Sequence, residues 1–190
     1  IKGIAFRDGN GQTIITPCRE FIENLDTLPF PAYEMIPDIS LYTPPPSNYK
    51  TLPVINMITS RGCPNQCTFC DSNIFGQEYR QRSAENIVEE IKFLQKKYGV
   101  REIAFVDDTF LINKKRIYKL FEILEKENIF FYWTCMSSFN NTDYEFLKFM
   151  NGKGVGVFIT LAIPVGSWEG YFVVLANEDD LDYIRRLEKK

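Results

Sequence analysis

From residue 51 onward the sequence alternates between short apolar runs and longer amphipathic ones, and no other feature constrains the fold as much. VINMIT (Val54 to Thr59), REIAFVDD (Arg101 to Asp108), IFFYWTCM (Ile129 to Met136) and VGVFITLAI (Val155 to Ile163) have the length and the β-branched or aromatic content of buried strands. Between them lie helical patterns. Ser83 is placed to cap SAENIVEEIKFLQKKYG, where Ile87, Ile91, Leu94 and Tyr98 recur at helical spacing before Gly99 stops the run. Asn113 opens a second helix to about Asn128, with Ile117, Leu120, Phe121 and Leu124 inward, and Thr142 or Asp143 opens a third with Phe146, Leu147 and Met150 inward. Strand, helix, strand in repetition predicts parallel βα units, and right-handed crossovers put every strand's C-terminal end on one face. The expected fold class is α/β: a partial parallel (β/α) barrel of about four units, since residues 54 to 190 do not suffice for more at ~30 or more residues per unit.

The first 50 residues read differently. IKGIAFRDGNGQTIIT predicts a β-hairpin whose apolar Ile4, Phe6, Ile14 and Ile15 flank the turn-rich DGNG. Eight of the ten prolines then fall at positions 17, 29, 31, 37, 44, 45, 46 and 53, which predicts an extended connector. Residues 1–50 are therefore expected to be a hairpin and proline-rich linker closing an earlier domain, and residues 51–190 an incomplete barrel. The opening reads as mid-strand, so the chain is expected to be a piece of a longer protein.

Composition removes several function classes. The sequence contains no histidine, which excludes Ser-His-Asp, Cys-His and zinc-protease chemistry carried by this chain alone. A net charge of −3 argues against bulk nucleic-acid affinity, and no apolar run reaches the ~20 residues of a membrane span. A cytoplasmic protein is the default expectation.

The chemistry is expected in RGCPNQCTFC, where Cys63, Cys67 and Cys70 follow directly on the first predicted strand. Three thiolates at this spacing can hold a cubane iron–sulfur cluster by three irons and leave the fourth open to a substrate or cofactor. Gly62 frees the backbone before the first ligand, and Pro64 keeps the loop from closing into a helix. Cys67 and Cys70 also have the knuckle spacing of a structural zinc site, which would need a fourth ligand, and Cys18 and Cys135 are remote in sequence. A zinc-stabilised interaction module is the alternative on these residues. Five cysteines, an odd number, do not make a disulfide framework.

The cysteine run, with Phe69 before its last member, resembles the signature of the radical S-adenosylmethionine (radical SAM) superfamily. LDTLPFPAYEMIP (Leu25 to Pro37), YRQRSAE (Tyr79 to Glu85) and FVDDTF (Phe105 to Phe110) are similar to its subgroup associated with cobalamin-binding domains. The resemblance implies a 4Fe–4S cluster on Cys63, Cys67 and Cys70 whose open iron binds S-adenosylmethionine, Phe69 near the adenine, and Asp107 or Asp108 near the methionine amino group. Arg80 or Arg82 would offset the cluster's charge or hold a carboxylate. It implies reductive cleavage to a 5′-deoxyadenosyl radical, a small-molecule substrate, and a one-electron donor such as flavodoxin or ferredoxin. Cobalamin would come through a domain absent from this chain.

The resemblance runs from about Leu25 to Met150 and then decays. AIPVGSWEG puts Pro164 where the family carries a glutamate, and Ser138 or Phe139 stands where an arginine is common. The readings are an active enzyme fragment, or a cluster-binding remnant that no longer cleaves its cofactor.

Overall fold

A computed structural model describes residues 1–45, 49–67, 70–71, 74–138 and 141–153. The fourth expected strand (Val155 to Ile163), Pro164, the following GSWEG, Phe69 and Phe139 lie outside the described residues.

The hairpin forms as expected: β1 (Ala5–Arg7) pairs antiparallel with β2 (Thr13–Ile15). Asp8 fixes the turn, its carboxylate accepting the N–H groups of Asn10 and Gln12 at 2.9 Å each. Three parallel strands form the main sheet. β3 (Val54–Met57) pairs with β6 (Glu102–Phe105), which pairs with β7 (Tyr132–Cys135), in the order β3-β6-β7. Two very short strands, β4 (Ser60–Arg61) and β5 (Arg80–Gln81), pair antiparallel beyond the end of β3.

Helices α1 (Ala84–Tyr98), α2 (Lys114–Lys126) and α3 (Tyr144–Gly152) sit where the periodicity placed them. Each start has its cap: Ser83 Oγ accepts the N–H of Asn86, Asn113 Oδ1 that of Arg116, and Asp143 Oδ1 that of Phe146. Gly99 ends α1 at φ 63°, in the left-handed region that a side chain would resist.

The twofold alternation of the strands sorts the sheet into two faces. Ile55, Met57, Ile103, Phe105, Trp133 and Cys135 turn toward the helices and join a core that includes Ile87, Ile91, Ile117 and Leu120. Phe105 stacks on Phe110 at 4.4 Å between centroids, and Trp133 meets both edge-on. Burying one such side chain contributes about 1.5–3 kcal/mol, so this layer dominates the stability of the described part. In register on the other face lie Asn56, Ala104 and Thr134, a row that would line a barrel's interior. This is a partial βα barrel: three strands and their helices, with β3 and β7 as edges among the described residues.

The proline-rich segment packs onto the barrel rather than only spanning between units. Leu25 and Tyr33 are buried, and Tyr33 belongs to the core, against Phe93 and Tyr98 of α1. Asp26 accepts the N–H of Ser83 at 2.8 Å, and Glu102, buried at the other end of β6, accepts the N–H groups of Lys50 and Thr51 at 2.7 and 2.8 Å.

Candidate functional site

The cysteine loop is an excursion from the C-terminal end of β3 that leaves along β4 and returns along β5. Its neck is closed by the pairing of Ser60 with Gln81 and Arg61 with Arg80. Gly62 makes the closure possible. Its φ is +83°, and a Cβ there would lie 2.2 Å from the carbonyl oxygen of Glu78, so no other residue fits. Within the loop the Cys63 N–H donates to Gly76 O at 3.2 Å and the Cys70 N–H to Cys67 O at 3.0 Å.

Cys63, Cys67 and Cys70 are all free thiols, the first two half-buried and the third exposed. The Cys70 thiol is pushed up, first by partial desolvation and then by the negative fields of Cys67, Cys63, Asp108 and Asp71. The fields of Cys67 and Cys63 felt at Cys70 are ones that a cationic iron–sulfide core would relieve, so the donor set fits such a cluster. Among the described residues no three Cys, Asp or Glu side chains are gathered for a single metal ion.

The two consecutive carboxylates part company at the end of β6. Strand alternation turns Asp107 to the helix side and Asp108 to the open side. Asp107 is fully buried and accepts hydrogen bonds from Thr59 N–H at 2.9 Å, Thr59 Oγ1 at 3.1 Å and Ser60 Oγ at 2.5 Å. Arg116 of α2 lies behind this group, donating to Thr59 O and Oγ1 at 3.2 and 3.1 Å and to Phe110 O at 3.1 Å. Burial lowers the Arg116 guanidinium, while its neighbours Tyr79 and Asp107 oppose that shift. Tyr79 has its hydroxyl buried there too, and desolvation raises it. This polar knot ties the ends of β3 and β6 together. Asp108 is exposed and faces the loop, close enough for its charge to be felt at Cys70.

Arg82 has all three nitrogens engaged within the protein. Nη1 pairs with Glu90 at 2.5 Å and donates to Ile58 O, while Nε and Nη2 donate to Asn86. Glu90, fully buried on α1, also accepts the hydroxyl of Tyr33 at 2.5 Å. Arg82 is thus engaged by Glu90, Asn86 and Ile58, and Glu90 in turn links it to Tyr33 of the pre-barrel segment. Cys135 is half-buried against the core, and burial, followed by the Asp107 charge, pushes its thiol up to about 12.

Sequence reasoning missed Arg116, Glu90 and Tyr79 as members of buried networks. A signal existed for two of them: Glu90 lies three residues from Ile87 and four from Leu94, and Arg116 four from Leu120, so both fall on apolar stripes. A pocket of about 460 Å³ opens beside the loop, lined by Leu28 and Pro31 of the pre-barrel segment, Asn56 and Val106 of the open face, and Arg61 and Phe75.

Parallel strands, a three-cysteine loop after the first of them and a carboxylate opposite it are the arrangement of an enzyme class built around an iron–sulfur cluster and S-adenosylmethionine. The sequence matches the radical SAM superfamily over residues 57–169, and the chain belongs to that superfamily. It is 35% identical over 157 residues, 81% of this chain and 32% of the relative, to an uncharacterized methyltransferase of Pyrococcus horikoshii. It is 28% identical to cytidylyl-2-hydroxyethylphosphonate methyltransferase of Streptomyces wedmorensis, over 87% of this chain and 35% of that protein. Against the anaerobic magnesium-protoporphyrin IX monomethyl ester cyclase of Rubrivivax gelatinosus it is 30% identical, over 70% of this chain and 23% of that protein. The chain thus spans about a third or less of these relatives' lengths. A 4Fe–4S cluster and cleavage of S-adenosylmethionine are general to the family. Among the described residues no helix is long and apolar enough to cross a membrane.

Proposed function

We propose that this chain is the catalytic core of a radical SAM methyltransferase or related radical enzyme, with Cys63, Cys67 and Cys70 as the cluster ligands. The observation that carries the reading is the clasped cysteine loop at the end of β3 with Asp108 on its open side. When bound, the cluster supplies the electron that cleaves S-adenosylmethionine to a 5′-deoxyadenosyl radical. The three thiolates would hold that cluster and leave it an iron open to the methionine moiety.

Asp108 accepts the charge-assisted hydrogen bonds of the methionine ammonium. Asp107 and Arg82 act through their partners: Asp107 fixes Thr59 and Ser60 at the root of the loop, and Arg82 fixes the pre-barrel segment. The family resemblance gives Phe69 the role of contacting the adenine. The substrate is a small molecule received in the pocket between the pre-barrel segment, the open face and Arg61.

Methyl transfer is favoured by relatives named methyltransferases, and the subgroup resemblance adds cobalamin, carried by a domain outside this chain. Residues 1–50 would then join that domain to the barrel. A flavodoxin- or ferredoxin-type donor in the cytoplasm would supply the electron.

Anaerobic reconstitution with iron and sulfide, followed by S-adenosylmethionine and dithionite, tests the reading. Expected are about four irons per chain, loss of iron on replacing any one of the three cysteines by alanine, and release of 5′-deoxyadenosine. A loaded cluster without that product would leave only the inactive remnant. Zinc without iron or sulfide in anaerobically purified protein would establish the structural module instead.

A further inference from the structure

The neck of the cysteine loop is seated on residues that precede the barrel. Arg80 of β5 is only 6% exposed, and its guanidinium spends every nitrogen on backbone carbonyls. Nη2 donates to Phe75 O at 2.6 Å, Nε to Glu78 O at 3.3 Å, and Nη1 to Ile22 O at 3.3 Å. The first two acceptors lie on the returning arm of the loop, and the third lies in the pre-barrel segment. The ring of Phe21 lies against the same guanidinium, 4.2 Å from its central carbon. That ring also covers Gly76, where a Cβ would come within 2.9 Å of two ring carbons. The carbonyl of Gly76 is the acceptor for the Cys63 N–H.

Two routes therefore run from residues 21 and 22 to the first cysteine. One passes through the arginine fork to the return arm, the other through the ring to Gly76 and on to the Cys63 amide. A lysine could keep the charge but could not reach three carbonyls and lie flat on a ring at once.

We infer that Arg80 is a positioning residue for the cysteine loop, and that Phe21 and Ile22 complete its seat, so the segment before the barrel shapes the loop that presents Cys63. The consequence for cluster retention rests on the ligand assignment proposed above. The consequence for the loop itself does not.

The test compares the wild-type chain with R80Q, R80K and F21A. In the apo proteins, hydrogen exchange read by mass spectrometry should quicken about tenfold at the Cys63 amide in all three variants, with Ile87 to Leu94 of α1 unchanged. A change confined to the loop separates positioning from general destabilisation. After anaerobic loading, iron loss to a chelator should also be about tenfold faster in the variants. The reduced cluster's electron paramagnetic resonance signal should differ from wild type. Should R80Q loosen α1 as well, F21A decides, because Phe21 is 46% exposed and its truncation leaves the core whole. Equal exchange at Cys63 in wild type and F21A overturns the inference. A wild-type protein that takes up no iron sinks the ligand assignment alone, since the exchange comparison still stands.

Discussion

Asp107 and Asp108 are adjacent in sequence and face opposite sides of the sheet, one sealed under Thr59 and Ser60 and the other exposed beside the cysteine loop. Their substitutions should separate stability from binding. D107A leaves buried hydroxyl and amide donors unpaired and should cost about 3 kcal/mol in urea unfolding. D108A should stay within about 0.5 kcal/mol of wild type. It should nevertheless weaken S-adenosylmethionine binding about tenfold by calorimetry, the loss of one charge-assisted contact.

E90A removes the partner of both Arg82 and Tyr33. A buried guanidinium left without its carboxylate costs about 3–5 kcal/mol, which should appear as a large drop in the unfolding midpoint. E90Q keeps the volume and an acceptor for the Tyr33 hydroxyl, so its loss should be smaller. Equal midpoints for wild type and E90A would mean the pair contributes nothing.

Tyr33 is held protonated by burial first and then by its bond to the Glu90 carboxylate, which raises it well above the ordinary tyrosine range. The folded state therefore keeps a proton that the unfolded chain gives up above about pH 10. The stability linked to this group is whole below that pH and lost as pH rises beyond it. Urea midpoints should fall between pH 10 and 11 in wild type and fall less steeply in Y33F.

Cys135, with its thiol pushed up to about 12, should resist alkylation at pH 8 in the folded apo protein. Cys18 is exposed and should react first. Peptide mass spectrometry after timed iodoacetamide treatment should show Cys135 modified at least about tenfold more slowly, a difference that disappears in urea.

G62A puts a methyl group against the Glu78 carbonyl at a backbone angle that alanine resists. The neck between β4 and β5 should open. Iron retention should then fall sharply while the helical circular dichroism of α1 and α2 is kept. Normal iron content in G62A would show that the ligands do not need the clasp.

The main elements were legible because the signal was periodic or had a cap: three strands, three helices, and Ser83, Asn113 and Asp143 at their starts. The cysteine loop was legible as text. What could not be read was the closure of that loop, because β4 and β5 are two residues each and carry arginines in place of an apolar pattern. The partition of Asp107 from Asp108 needed the strand's phase, which only the register with β3 and β7 fixes. Tyr33 was hidden among prolines, where composition speaks for an extended path and says nothing of what that path rests upon.

Tyr33 also sets where this protein can be cut. A version begun at the first barrel strand would lose the phenol that Glu90 holds and the aromatic seat under Arg80, and would leave an ion pair open to solvent. A piece that keeps these contacts must start upstream of Phe21, so the docking and not the first strand sets where it begins.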